Sequence, residues 1–115
     1  MARSASKPVT FVGSSLDDLR AFPQSARRET GFQLDKIQNG EEADSWKPMP
    51  TVGSGVQEIR VREESGAYRL MYVAKFPEAV YVLHAFQKKT RATTRQDLAL
   101  AKERYQEVLT MRKSK

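Results

Sequence analysis

The chain has no cysteine, which excludes a disulfide framework and a thiolate metal site. It has one histidine, His84, too few for a histidine-built zinc centre, and no metal or other cofactor is expected. Apolar runs are short. None nears the ~18 uninterrupted residues that span a bilayer, so no membrane partner is expected. The opening MARSASKPVTF has no apolar core after its basic residue, so no signal peptide is expected either. Lack of cysteine is compatible with a reducing compartment, and the expected location is the cytoplasm. A Gly-rich phosphate loop, a Ser/His/Asp set and a carboxylate pair in a motif are all missing too.

What is present is positive charge, unevenly placed. Lysine and arginine outnumber aspartate and glutamate by 20 to 14, a net of +6 over 115 residues. Residues 1–55 hold seven of each sign, so the whole excess lies in residues 56–115. A chain of this length holds one domain. A basic half in a chain of pI 9.8 points to a polyanionic partner, through counterion release and steering.

Residues 1–8 are expected to be a flexible tail, 9–111 a single domain and 112–115 a frayed basic end. PVTFV reads as a short edge strand, with Pro8 at its first position. In SSLDDLRAF, Ser15 is the expected N-cap of a helix, with Asp18 three residues on and Leu16, Leu19 and Phe22 facing inward. Pro23 opens a second helix that runs to Gln38, with Ala26, Thr30, Leu34 and Ile37 on one stripe. Gly31 inside it suggests close packing, and Asn39-Gly40 ends it. Residues 41–55 read as a loop pinned to the core by Trp46 and Met49.

From Val56 the pattern turns to strands: VQEIRVREES, AYRLMYVAKF and AVYVLHAFQ. Their connections are too short for parallel crossovers and demand an antiparallel meander. Thr94 with Asp97 forms a capping box, after which Leu98, Ala101, Tyr105 and Val108 share a helical face to about Met111. The expected fold class is α+β, in the order β-α-α-β-β-β-α, with an antiparallel sheet packed against helices.

A hairpin centred on Ser65-Gly66 sets position 62 opposite 69 and 60 opposite 71. Arg60, Arg62 and Arg69 then share one face, while Ile59, Val61, Leu70 and Tyr72 form the core face. Arg62 opposite Arg69 is a costly pair, which Glu58, Glu63 or Glu64 would offset. Lys88 and Lys89 end the third strand beside that surface, and Arg91 and Arg95 follow. Two readings of this face stand together: a solvated, salt-laced sheet surface, and a surface that binds phosphates through planar guanidinium forks. His84, inside VYVLHAF, reads as a hydrogen-bonded core histidine ahead of a general base. One reaction needs little beyond such a face. RNA carries its own nucleophile, the 2′-hydroxyl; a protein must orient it, stabilise the pentavalent phosphate with cations and assist proton transfer. A lysine whose pKa is lowered by cationic neighbours is a candidate base.

The succession GVQEIRVREESGAYRLMYV, then VYVLHAFQKKTRATTRQDLALAKERYQEV, resembles the RelE/ParE toxin superfamily, in its HigB-like, phage-derived Gp49-like branch. RRETGFQLDKIQNG followed by WKPMPTVGSG is similar to the same branch, and the likeness covers roughly residues 9–110. The resemblance implies a RelE-like fold and a type II toxin that cleaves messenger RNA in the ribosomal A site without a metal. It implies a small helix-turn-helix, HigA-like antitoxin as partner, with the ribosome and messenger RNA as targets. Carried over by position, the catalytic residues are Arg60, Arg69 and Lys88. Arg69 would stabilise the transition-state phosphate, and Arg60 and Lys88 would position phosphates and help move protons. Arg62, Lys89, Arg91 and Arg95 are the expected RNA-binding residues. Where RelE carries a tyrosine shortly after the last strand, KKTRATTRQ has none. Two other functions sit on this fold: ParE-like inhibition of DNA gyrase, against which Arg60, Arg69 and Lys88 argue, and non-enzymatic RNA binding.

Overall fold

The β-branched and aromatic runs of the C-terminal half build the sheet, and the earlier segments wrap it. The computed structural model describes residues 6–114. Its elements are β1 (Val9–Phe11), α1 (Ser15–Arg20), α2 (Gln24–Gln38), β2 (Trp46–Pro48), β3 (Val56–Glu63), β4 (Gly66–Val73), β5 (Val80–Lys88) and α3 (Arg95–Lys113). One five-stranded sheet has the order β1-β5-β4-β3-β2. The α+β class and the β3–β4–β5 meander agree with the sequence.

Two features of the sheet differ from expectation. Trp46–Pro48, inside the expected loop, pairs antiparallel with β3, placing Lys47 opposite Glu58. Proline at positions 48 and 50 hides this strand, yet a three-residue edge strand tolerates proline. The sheet is also mixed, because β1 lies parallel to β5, with Val9 beside Val80. The helices bring smaller corrections. Ser14, not Ser15, stands at the N-cap position of α1; it makes no capping bond to a helix amide, and its hydroxyl donates to the Asp18 carboxylate at 2.9 Å. Ser15 is buried instead and donates to the Val82 carbonyl. Pro23 is the N-cap of α2 rather than its first residue. Gly31 packs against nothing, since a Cβ there would meet open space. The expected stripe of α2 is buried, joined by Gln33. Thr94 caps α3 as its sequence suggests, accepting from the Asp97 amide.

The termini are partly fastened. Residues 1–5 and 115 of the expected tails lie outside the described residues. Lys7 donates its amide to Gln38 O and its ammonium to the carbonyls of Ala74 and Phe76. At the other end α3 continues past Met111, and Arg112 pairs with Glu78 at 2.6 Å over the Phe76 ring.

Alternation along β3 and β4 sorts the sheet into two faces. On one, Ile59, Val61, Tyr68, Leu70 and Tyr72 pack against Leu19 and Phe22 at α1 and Ala26, Leu34 and Ile37 of α2. The other face is also partly apolar, which the sequence reading did not foresee. There Val56, Met71, Val73, Tyr81 and Leu83 lie beneath Ala101, Tyr105 and Val108 of α3. Gly53 lets the preceding loop press on this helix, since a Cβ there would sit 2.6 Å from the Tyr105 ring. Buried Arg104 ties the layers together, donating to Leu83 O at 3.0 Å and Ser14 Oγ at 2.9 Å. The apolar cover ends partway along this face, at the part of the sheet that carries the cations.

A cationic cluster over a buried carboxylate as candidate active site

The β3–β4 hairpin turns at Glu64-Ser65, with Glu63 paired to Gly66, so Arg60 stands opposite Arg69 and Arg62 opposite Ala67. This register is two residues away from the expected one. A slip of two leaves every side chain on its face, because the strand period is two. Arg60, Arg62 and Arg69 therefore do share a face, and the like-charge pair is Arg60–Arg69 rather than Arg62–Arg69. On the adjacent strand Lys88 pairs with Ala67 and Phe86 with Arg69, which brings Lys88 to the same side. Lys47 arrives from β2.

Glu58 lies under these cations, 1% exposed, and Arg69 is 6% exposed. Glu58 Oε1 is 3.5 Å from Arg69 Nε, an ion pair without a hydrogen bond. Among the described residues neither Arg69 Nε nor Glu58 Oε2 has a hydrogen-bond partner. The Arg69 guanidinium makes one hydrogen bond to them, from Nη1 to Tyr68 O at 3.3 Å, leaving most of its fork uncommitted. Ser45, Arg60, Val61, Arg62 and Arg69 line a cavity of about 360 Å³. Burial pushes the Glu58 carboxyl above the usual carboxylate range, against the opposing pull of Arg69, Lys47, Arg60 and Lys88. Burial also lowers the Arg69 pKa, but a guanidinium starts high enough to stay charged. Lys88 is lowered as well, first by burial and then by Arg69, with Arg60 and Lys47 adding to it.

The remaining expected contact residues are more dispersed. Arg62 is exposed on the cavity wall. Lys89 lines a second cavity of about 210 Å³ together with Lys88, Phe86, Thr94 and Asp97. Arg91 and Arg95 are exposed and border neither cavity. His84 is buried, bonded through Nε2 to Asp97 Oδ1 at 2.7 Å and stacked on Phe86, which matches the core reading. Among the described residues no three His, Cys, Asp or Glu side chains gather as a metal would require. Lys47 and the burial of Glu58 escaped the sequence reading. Lys47 comes from β2, whose three residues give no alternation to read, and alternation along β3 places Glu58 on a face without reporting its burial.

Such a site can hold an anionic phosphate between guanidinium forks and offer a lysine that loses its proton more readily than a free one. If Lys88 is the base, the rate must rise with pH as the ammonium deprotonates, from a lower pH than an ordinary lysine allows. Lys47→Ala removes one of the charges that disfavour the ammonium. The rising limb of a kcat/KM–pH profile should then move to higher pH. A limb that moves to lower pH instead rules out Lys88 as the group that limits it.

The family model for phage-derived Gp49-like proteins, a domain of unknown function, matches residues 17–106. The chain belongs to the phage-derived Gp49-like family. The matched segment of this Gp49-like chain contains the whole cluster, from Lys47 to Lys88. Its fold is similar to that of the E. coli toxin RelE, solved in the free state as a mutant with arginines replaced by alanine. That likeness has a TM-score of 0.63 at 14% identity and covers 90% of this chain and 98% of that one. No curated protein sequence matches the chain. Among the described residues no helix of this Gp49-like protein is long and apolar enough to cross a membrane.

Proposed function

We propose that this chain is the toxin of a type II toxin–antitoxin pair, cleaving messenger RNA in the ribosomal A site through a metal-free Arg/Lys site. The observation that carries the reading is the convergence of Arg60, Arg69 and Lys88, from three adjacent strands, on the part of the sheet that α3 leaves uncovered. Arg69 and Arg60 hold the scissile phosphate, and neutral Lys88 takes the proton from the 2′-hydroxyl. The 2′ oxygen then bonds to phosphorus, and negative charge builds on the phosphoryl oxygens in front of the Arg69 fork. The P–O5′ bond breaks, leaving a 2′,3′-cyclic phosphate and a 5′ oxygen that takes a proton from water. Arg62, Lys89, Arg91 and Arg95 guide the flanking phosphates. The partner that silences the protein is a small helix-turn-helix, HigA-like antitoxin, and the pair works in the cytoplasm.

The test is induced expression with and without the neighbouring helix-turn-helix reading frame, followed by mapping of messenger 5′ ends. Growth arrest with ribosome-dependent cuts, both relieved by the antitoxin, is expected. Intact messenger with falling supercoiling activity would replace this reading by gyrase inhibition. Intact messenger and unchanged supercoiling would leave RNA binding alone.

A further inference from the structure

Five cations, Lys47, Arg60, Arg62, Arg69 and Lys88, approach one another at this site, and two of them, Arg60 and Arg69, stand directly opposite across the β3–β4 pair. Like charges in that position repel. An arginine 6% exposed has little water to relieve it. Among the described residues, the carboxylate that acts on both Arg69 and Lys88 is Glu58, placed on the same face of β3 two residues before Arg60. Its Oε1 faces Nε, the inner edge of the Arg69 fork, while Nη1 reaches back to Tyr68 O. Nη2 makes no hydrogen bond among the described residues, and the arginine borders the cavity.

We propose that Glu58 is a positioning residue: its buried carboxylate holds the Nε edge of Arg69 from beneath, presents the Nη edge to a phosphate in the cavity, and supplies the negative charge that lets the five cations converge. The proposal rests on the ribonuclease reading for its consequence in catalysis, though not for its geometry. A purely structural ion pair is a weaker account. Buried pairs contribute little net stability over apolar residues of equal volume.

The experiment compares the full-length parent with Glu58→Gln and Glu58→Asp. Gln keeps the shape and removes the charge; Asp keeps the charge and draws it away from Nε. In Glu58→Gln we expect kcat on programmed ribosomes to fall ~10–100-fold through misplacement of the fork. Binding of an RNA carrying a 2′-deoxy nucleotide at the cut site should hold or tighten, because one negative charge is gone. Glu58→Asp should lose kcat with binding unchanged. A second readout needs no activity: the NMR shift of the Arg69 Nε–H, which senses the carboxylate 3.5 Å away in the parent, should move in both variants, with the amide spectrum preserved. A parental Nε–H shift or parental kcat in either folded variant overturns the proposal. A parent that cuts no RNA defeats the ribonuclease reading alone, and the Nε–H shift still decides the role of Glu58. If Glu58→Gln does not fold, Glu58→Asp carries both measurements.

Discussion

Arg69→Ala should lower kcat for messenger cleavage by ~10²–10³-fold, the loss expected when one preorganised donor to a developing oxyanion is removed. The side chain sits at the centre of the cluster, on the middle strand, with Arg60 opposite it and Phe86 beside it. Its planar fork is almost wholly desolvated, and charge–dipole interactions are strongest where water is excluded. Arg69→Lys keeps the charge without the fork and should recover only part of the rate.

Removal of Arg69 also strands Glu58, so the stability of the variant must be followed separately. With its nearest cation gone, the Glu58 pKa rises further, so the carboxyl takes up a proton at a higher pH than in the parent. A group whose folded pKa lies above its unfolded value stabilises the fold at low pH and loses that contribution as pH rises through the folded pKa. Arg69→Ala should therefore resist urea better in mildly acidic than in neutral buffer. Arg69→Ala/Glu58→Gln should remove that dependence while activity stays lost. If the double variant regains cleavage, Arg69 acts through Glu58 and does not touch the phosphate.

The largest effect on stability should come from Leu70→Ala. Leu70 is fully buried on the central strand, between Ile59 and Ala85, and faces the core formed with α1 and α2. Truncation there should cost about 3–5 kcal/mol, the transfer of the lost methyl groups plus the cavity that a rigid sheet cannot close. Urea unfolding should show the midpoint falling with the slope unchanged. Because Leu70 faces away from the cations, kcat per folded molecule should match the parent. A reduced kcat with unaltered unfolding would show that the two faces of the sheet are coupled.

Much of the site was legible because strand alternation is local. EIRVR and AYRLMY declare which side chains share a face wherever the hairpin turns, and a register two residues off left the face assignment intact. Capping chemistry was equally local at Thr94-Asp97, where the hydroxyl and carboxylate sit three residues apart. At the first helix the same rule pointed one residue too far, because Ser15 found a better partner in the Val82 carbonyl of a strand 67 residues away. Gly31 misled for the opposite reason: a glycine's tolerance for close approach says nothing of whether anything approaches.

By itself, then, the sequence determined the α+β class, the meander, the two helices that cover one face, and the gathering of Arg60, Arg62 and Arg69 on the other. Only the tertiary structure decided that β2 would bring Lys47 to them, that α3 would roof part of that face, and that Glu58 would be buried beside Arg69. Periodicity is a property of neighbours along the chain and can be read there. Burial, and the pKa shifts it causes in Glu58, Arg69 and Lys88, sum over neighbours that only folding brings near.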